Sequence, residues 1–170
     1  MAFFTTLNTL GLGSSTAPFR CRRGLWRALL RDLARRGCGE RESGAFLLGT
    51  DVSGVRRVKA YLPFDEIDPK CLTGYIDFDG TKMDLVWAEC RRLRLKVVAD
   101  VHTHPGGYGQ SGIDRDNPMM PRRGHLALIV PDYACRTVGP GEVGIYELRG
   151  PASWADHSFK GRDFFALEWF

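Results

Sequence analysis

The stretch "VVADVHTHPGGYGQSGIDRDNP", residues 97–118, decides the reading of this chain. An apolar run ends in two histidines separated by a single threonine. In a strand, residues i and i+2 point to the same side, so His102 and His104 can aim two imidazoles at one point. Such a pair is a natural start for a divalent metal site, and imidazole suits zinc. Catalytic zinc takes three protein ligands and leaves the fourth position to water. Pro105, Gly106, Gly107 and Gly109 allow a tight reversal, after which Asp114 can supply the third ligand. A plainer reading exists for each residue alone. The histidines can be ordinary strand-end residues, Ser111 a helix cap, and Asp114 and Asp116 first-turn acids favoured by the helix dipole. The concentration of His102, His104, Ser111 and Asp114 within thirteen residues behind an apolar strand favours one shared site.

Working outward, the spacing predicts an amphipathic helix over 24–37, with Leu25, Trp26, Leu29, Leu30 and Leu33 on one face and glycine as the stop. "SGAFLLGT" (43–50) and "VRRVKAYLPF" (55–64) read as a hairpin about a turn at 51–54. "CLTGYIDFD" (71–79) is strand-like. Residues 81–95 repeat the helical pattern through Met83, Val86, Trp87, Cys90 and Leu93, with Thr81 as N-cap. Residues 125–131 and 143–150 read as strands, with a further strand in 157–167. His125 and His157 are read as structural or exposed residues, and Trp26 and Trp87 as core. The expected architecture is α/β: a mixed sheet with helices packed on it, preceded by an N-terminal arm over 1–20, the domain itself occupying 21–170.

At 170 residues, 44% hydrophobic and 26% charged, the chain is long enough for one domain with a proper core. The net charge of +4 is modest. Its two basic clusters, 20–27 and 90–96, read as solvated helix faces, so nucleic acid is not an expected partner. Five scattered cysteines without a CxxC pair suit reduced thiols and a cytoplasmic location, not a cysteine zinc ribbon. No apolar run approaches the ~18 residues of a membrane helix.

"HTHP" followed by "SGID" resembles the JAMM (JAB1/MPN/Mov34) metalloprotease motif, H-x-H-P…S-x-x-D. That family adds an upstream glutamate in an E-x-x-G-hydrophobic-G stretch, to which "ESGAFLLG" (42–49) is similar. "GQSGIDRDNPMM" is similar to bacterial JAB proteins of ubiquitin-like or anti-phage systems. The resemblance spans about residues 24–150. One departure is visible: the loop Pro105–Gln110 is one residue shorter than is usual, which leaves Asp116 beside Asp114 as a rival ligand, although the S-x-x-D spacing favours Asp114.

The resemblance implies an MPN/JAB-type domain with a curved mixed sheet flanked by helices. It implies Zn2+ on His102, His104 and Asp114, Glu42 as the proton carrier and Ser111 as an oxyanion donor. The implied reaction is peptide or isopeptide hydrolysis after the C-terminal tail of a ubiquitin-like protein, in deconjugation or precursor maturation. E1- and E2-like proteins of the same system are the further expected partners. Residues 66–79 fall where the family's first insertion forms a groove wall; the second insertion, near 117–124, is short. Removal of an amino acid from a sulfur-carrier protein, and a non-catalytic MPN scaffold, are the alternative readings.

Overall fold

A computed structural model describes residues 15–169 of the protein, so most of the expected N-terminal arm lies outside the described residues. The elements are β1 (Phe19–Arg22), α1 (Arg23–Gly37), β2 (Gly44–Val52), β3 (Val55–Pro63), α2 (Phe64–Ile67), α3 (Met83–Leu93), β4 (Lys96–Thr103), α4 (Gly112–Asp116), β5 (Leu126–Val130), β6 (Gly144–Gly150), β7 (Ser153–Asp156) and β8 (Phe165–Glu168). All eight strands join one curled, mixed sheet in the order β7-β6-β5-β4-β2-β3-β1-β8. The fold is a single α/β domain.

Alternation along β2 explains the layering. Ala45 and Leu47 face one core, with Trp26, Leu29, Leu30 and Leu33 of α1. Phe46 and Leu48 face the other, with Phe64, Val86 and Cys90. Successive strand residues point to opposite faces, so a strand with both sets fully buried must be covered on both sides. Both amphipathic helices therefore lie where the periodicity predicts, one on each face. α1 stops at Cys38 and α3 at Arg94, each in a left-handed conformation (φ 54° for both), whose N–H groups return to carbonyls of the last turn.

Several elements depart from the sequence reading. β1 straddles the boundary drawn between arm and domain. It lies between β3 and β8, parallel to both, with Phe19 fully buried. Arg20 is not on a solvated helix face: it is buried, its Nε donates to the Ala17 carbonyl at 2.8 Å, and it pairs with Glu168. Residues 71–79 form no strand, only an isolated bridge between Leu72 and Ile76. They are gathered instead around the buried Asp68, which accepts from the Asp79 N–H at 3.1 Å and pairs with Lys82. Asp79, not Thr81, caps the turn that leads into α3. Residues 158–163 coil as a short 3-10 segment before β8.

The register places the site. β2 and β4 run antiparallel with Gly44 opposite His102. Continuing that register past the ends of the paired strands sets Glu42 opposite His104. β4 and β5 run parallel, and the histidine strand therefore ends beside the C-terminal end of β5.

Candidate metal centre

His102 is the penultimate residue of β4 and His104 follows its last residue. Both side chains are buried, with Nε2 atoms 3.0 Å apart. Thr103 between them faces the opposite way. Its Oγ1 accepts the Ser43 N–H at 3.0 Å, and its own N–H donates to the Ser43 carbonyl at 2.9 Å. Ser43 Oγ in turn donates to the Leu33 carbonyl of α1 at 2.8 Å. The residue beside Glu42 is thus bolted to the residue between the two histidines. Gly44 is required next, because a Cβ there would sit 2.4 Å from the Phe64 ring and 2.7 Å from the Val101 carbonyl.

Beyond His104 the chain is anchored to the end of β5. His104 N–H donates to the Val130 carbonyl at 2.9 Å, and the His104 and Gly106 carbonyls accept from Tyr133 and Asp132. The glycine-rich loop then crosses β6, where the Tyr146 hydroxyl donates to the Tyr108 carbonyl at 3.1 Å. Gly144 makes this crossing possible: a Cβ there would lie 2.2 Å from that same carbonyl.

The loop returns through α4, which opens with a capping box. Ser111 Oγ accepts the Asp114 N–H at 3.2 Å, and Asp114 Oδ2 accepts the Ser111 N–H at 2.6 Å. This turns Asp114 towards the histidines, 3.2 Å from the Nε2 atoms of both. Glu42 Oε1 lies 3.9 Å from His104 Nε2. The Glu42 N–H donates to the Gly74 carbonyl at 3.0 Å, so the 71–79 segment holds its backbone. Asp116, the rival ligand, is exposed and stands outside the group.

His102, His104 and Asp114 offer ligand atoms that all lie within 4.8 Å of one another. Two imidazoles and one carboxylate are the donor set and number of a catalytic zinc site. The 3.0–3.2 Å separations approach the edges of a tetrahedron whose centre lies about 2.0–2.1 Å from each donor. The residues present therefore fit a divalent metal of this kind.

Protonation follows the same contacts. Burial works against ionised Asp114, but hydrogen bonds from His102 and His104 outweigh it and hold the carboxyl far below its usual range. Burial likewise opposes protonated His102, and the Asp114 carboxylate outweighs it, so the imidazole is raised. For Glu42 burial prevails over the nearby histidines, and the carboxyl is raised.

One pair escaped the sequence reading. Asp100, two residues before His102 on the same face of β4, accepts a hydrogen bond from His125 at 2.5 Å, and both are buried. His157 is also buried, bonded to Glu147 at 2.9 Å and stacked on Phe164.

No protein-family model matches the chain. Solved structures do resemble it. A Desulfitobacterium hafniense protein determined in solution superposes with a TM-score of 0.66 at 14% identity, covering 88% of this chain and 92% of that one. A Salinibacter ruber protein, also determined in solution, gives a TM-score of 0.55 at 21% identity over 81% and 88% of the two chains. At these identities the likeness shows the fold alone. Among the described residues no helix is long and apolar enough to cross a membrane.

Proposed function

We propose that the protein is a zinc-dependent protease of the JAMM type that hydrolyses the peptide or isopeptide bond after the C-terminal tail of a bacterial ubiquitin-like protein. One observation carries the reading: Glu42, His102, His104 and Asp114, drawn from three separate segments, converge so that a proton carrier stands 3.9 Å from a three-ligand cluster. A scaffold domain has no need of that convergence.

Zinc, when bound, would polarise both a water molecule and the scissile carbonyl. The remaining work falls to the chain's own groups. Glu42, more basic than an ordinary carboxylate because it is half-buried, takes a proton at its carboxylate and passes it to the leaving amine. Ser111 Oγ already accepts from the Asp114 N–H, which leaves its own O–H free to donate to the developing oxyanion. The Gly74 carbonyl holds the Glu42 backbone in place, with the carboxylate beside His104.

The test pairs metal content with cleavage. Protein prepared without chelators is analysed for zinc, then incubated with ubiquitin-like proteins fused through their C-terminal tails to a reporter. One zinc per chain and cleavage at the tail are expected. Absence of stoichiometric metal rejects the reading. Cleavage of amino-acid-capped sulfur carriers alone redirects it to that substrate.

A further inference from the structure

A cavity of about 240 Å3 opens beside the ligand cluster. That is smaller than the ~300–1,000 Å3 of small-molecule sites and suits one large side chain. Its walls come from three segments: Ile76 from the 71–79 stretch, Ile113 and Met119 from α4 and the turn after it, and Trp154 from β7. Trp154 is fixed by donating its Nε1–H to the Arg115 carbonyl at 3.1 Å. At the floor lie Asp100 and its cross-strand neighbour Ala127, whose small side chain leaves the space open.

Glu42, Asp100 and Asp114 line the cavity together with His102, and no lysine or arginine does. Glu42 and Asp114 have roles at the metal; Asp100 has none there. It is 2% exposed, and His125 serves only its Oδ1. Among the described residues no hydrogen bond reaches Oδ2. Oδ2, at the end of an apolar-walled cavity, keeps lone pairs free to accept from a donor that enters it.

We propose that this cavity is the subsite for a basic side chain, lysine or arginine, next to the scissile bond of the substrate. The aliphatic stem lies against Ile113, Met119 and Trp154, and the terminal cation meets Asp100. An acidic side chain would meet the Asp100 carboxylate, and an apolar one would cover Oδ2 without giving it a partner, so both are disfavoured there. Asp100 is then a specificity-determining residue, and the proposal rests on the proteolytic reading above.

The experiment separates the two. Zinc-loaded, full-length Glu42→Gln protein is titrated calorimetrically with glycine-rich peptides that differ at one position, carrying Lys, Arg, Leu or Glu. Lys and Arg peptides are expected to bind at least about tenfold more tightly than the Leu peptide, with Glu weakest. Asp100→Asn, added to that protein and checked for folding by circular dichroism, is expected to bring the Lys-to-Leu ratio to within about twofold of one. If that variant does not fold, Met119→Lys, which leaves the Asp100–His125 pair intact, is expected to reverse the preference. Equal binding of Lys and Leu peptides, or no measurable binding of any, overturns the proposal. Tail cleavage by the wild type without basic preference keeps the protease and rejects the subsite. Basic preference without cleavage of any substrate rejects the protease and keeps the pocket.

Discussion

Ser111 and Asp114 hold each other: the serine hydroxyl accepts the aspartate N–H at 3.2 Å, and the aspartate carboxylate accepts the serine N–H at 2.6 Å. The i, i+3 spacing is thus a geometric device. It ties a short, glycine-fed loop into a fixed turn and presents Asp114, not Asp116, to the histidines. A loop one residue shorter than is usual in the resembled family still delivers that carboxylate, because the capping box sets its direction locally.

Metal affinity should therefore separate the two aspartates. Asp114→Ala is expected to weaken zinc binding by roughly 100-fold or more, given that even residues supporting a ligand cost 10–100-fold. Asp116→Ala should leave the affinity within error. Competition titration against a chromogenic zinc chelator reads both.

Glu42→Gln keeps the shape but removes the proton carrier. Cleavage should fall by about 10²–10⁴-fold, with zinc content unchanged. Native-rate cleavage by this variant would remove Glu42 from the mechanism.

Ser111→Ala deletes both the cap and the oxyanion donor. The expected loss is about 10²–10³ in kcat, together with roughly 1 kcal/mol of stability from the lost cap. Ser111→Thr retains the hydroxyl and should recover part of both, which steady-state kinetics and denaturant melts can follow.

The metal-free protein should respond to pH in a defined direction. Asp114 outweighs burial and holds His102 above the ordinary imidazole value of about 6.5, so it stabilises the fold fully below that pH. That contribution is lost as pH rises through the folded-state value. Asp114 is lowered, so its contribution is present above the ordinary carboxylate range and disappears only in strong acid. Apo-protein Tm should thus decline from about pH 6.5 upward. Zinc competes with protons for the same imidazoles, so the stabilisation it confers should grow over that interval. Parallel melts with and without chelator test both trends.

Gly144→Ala probes how the loop is carried. The added Cβ would lie 2.2 Å from the Tyr108 carbonyl, forcing the 105–110 segment off β6. A loss of about 1–3 kcal/mol is expected from overpacking. Zinc affinity should fall with it, because the same segment delivers Asp114.

Local pattern determined a good deal. The 3.6-residue repeats of α1 and α3, the hairpin of β2 and β3, and the same-side placement of His102 and His104 all follow from short-range geometry that a sequence displays directly. Glu42, Ser111 and Asp114 were legible because the resembled motifs fix their spacing. Tertiary structure alone decided the rest. Residues 71–79 alternate like a strand, yet they wrap around the buried Asp68 and clasp Glu42, since hydrogen bonds to that carboxylate replace those of a ladder. β1 is four residues long, too short to announce itself, and is a strand because β3 and β8 flank it. Asp100 and His125 stand 25 residues apart and meet only because β4 and β5 pair in parallel. No local spacing encodes that register, which is set by which apolar faces the two strands must bury.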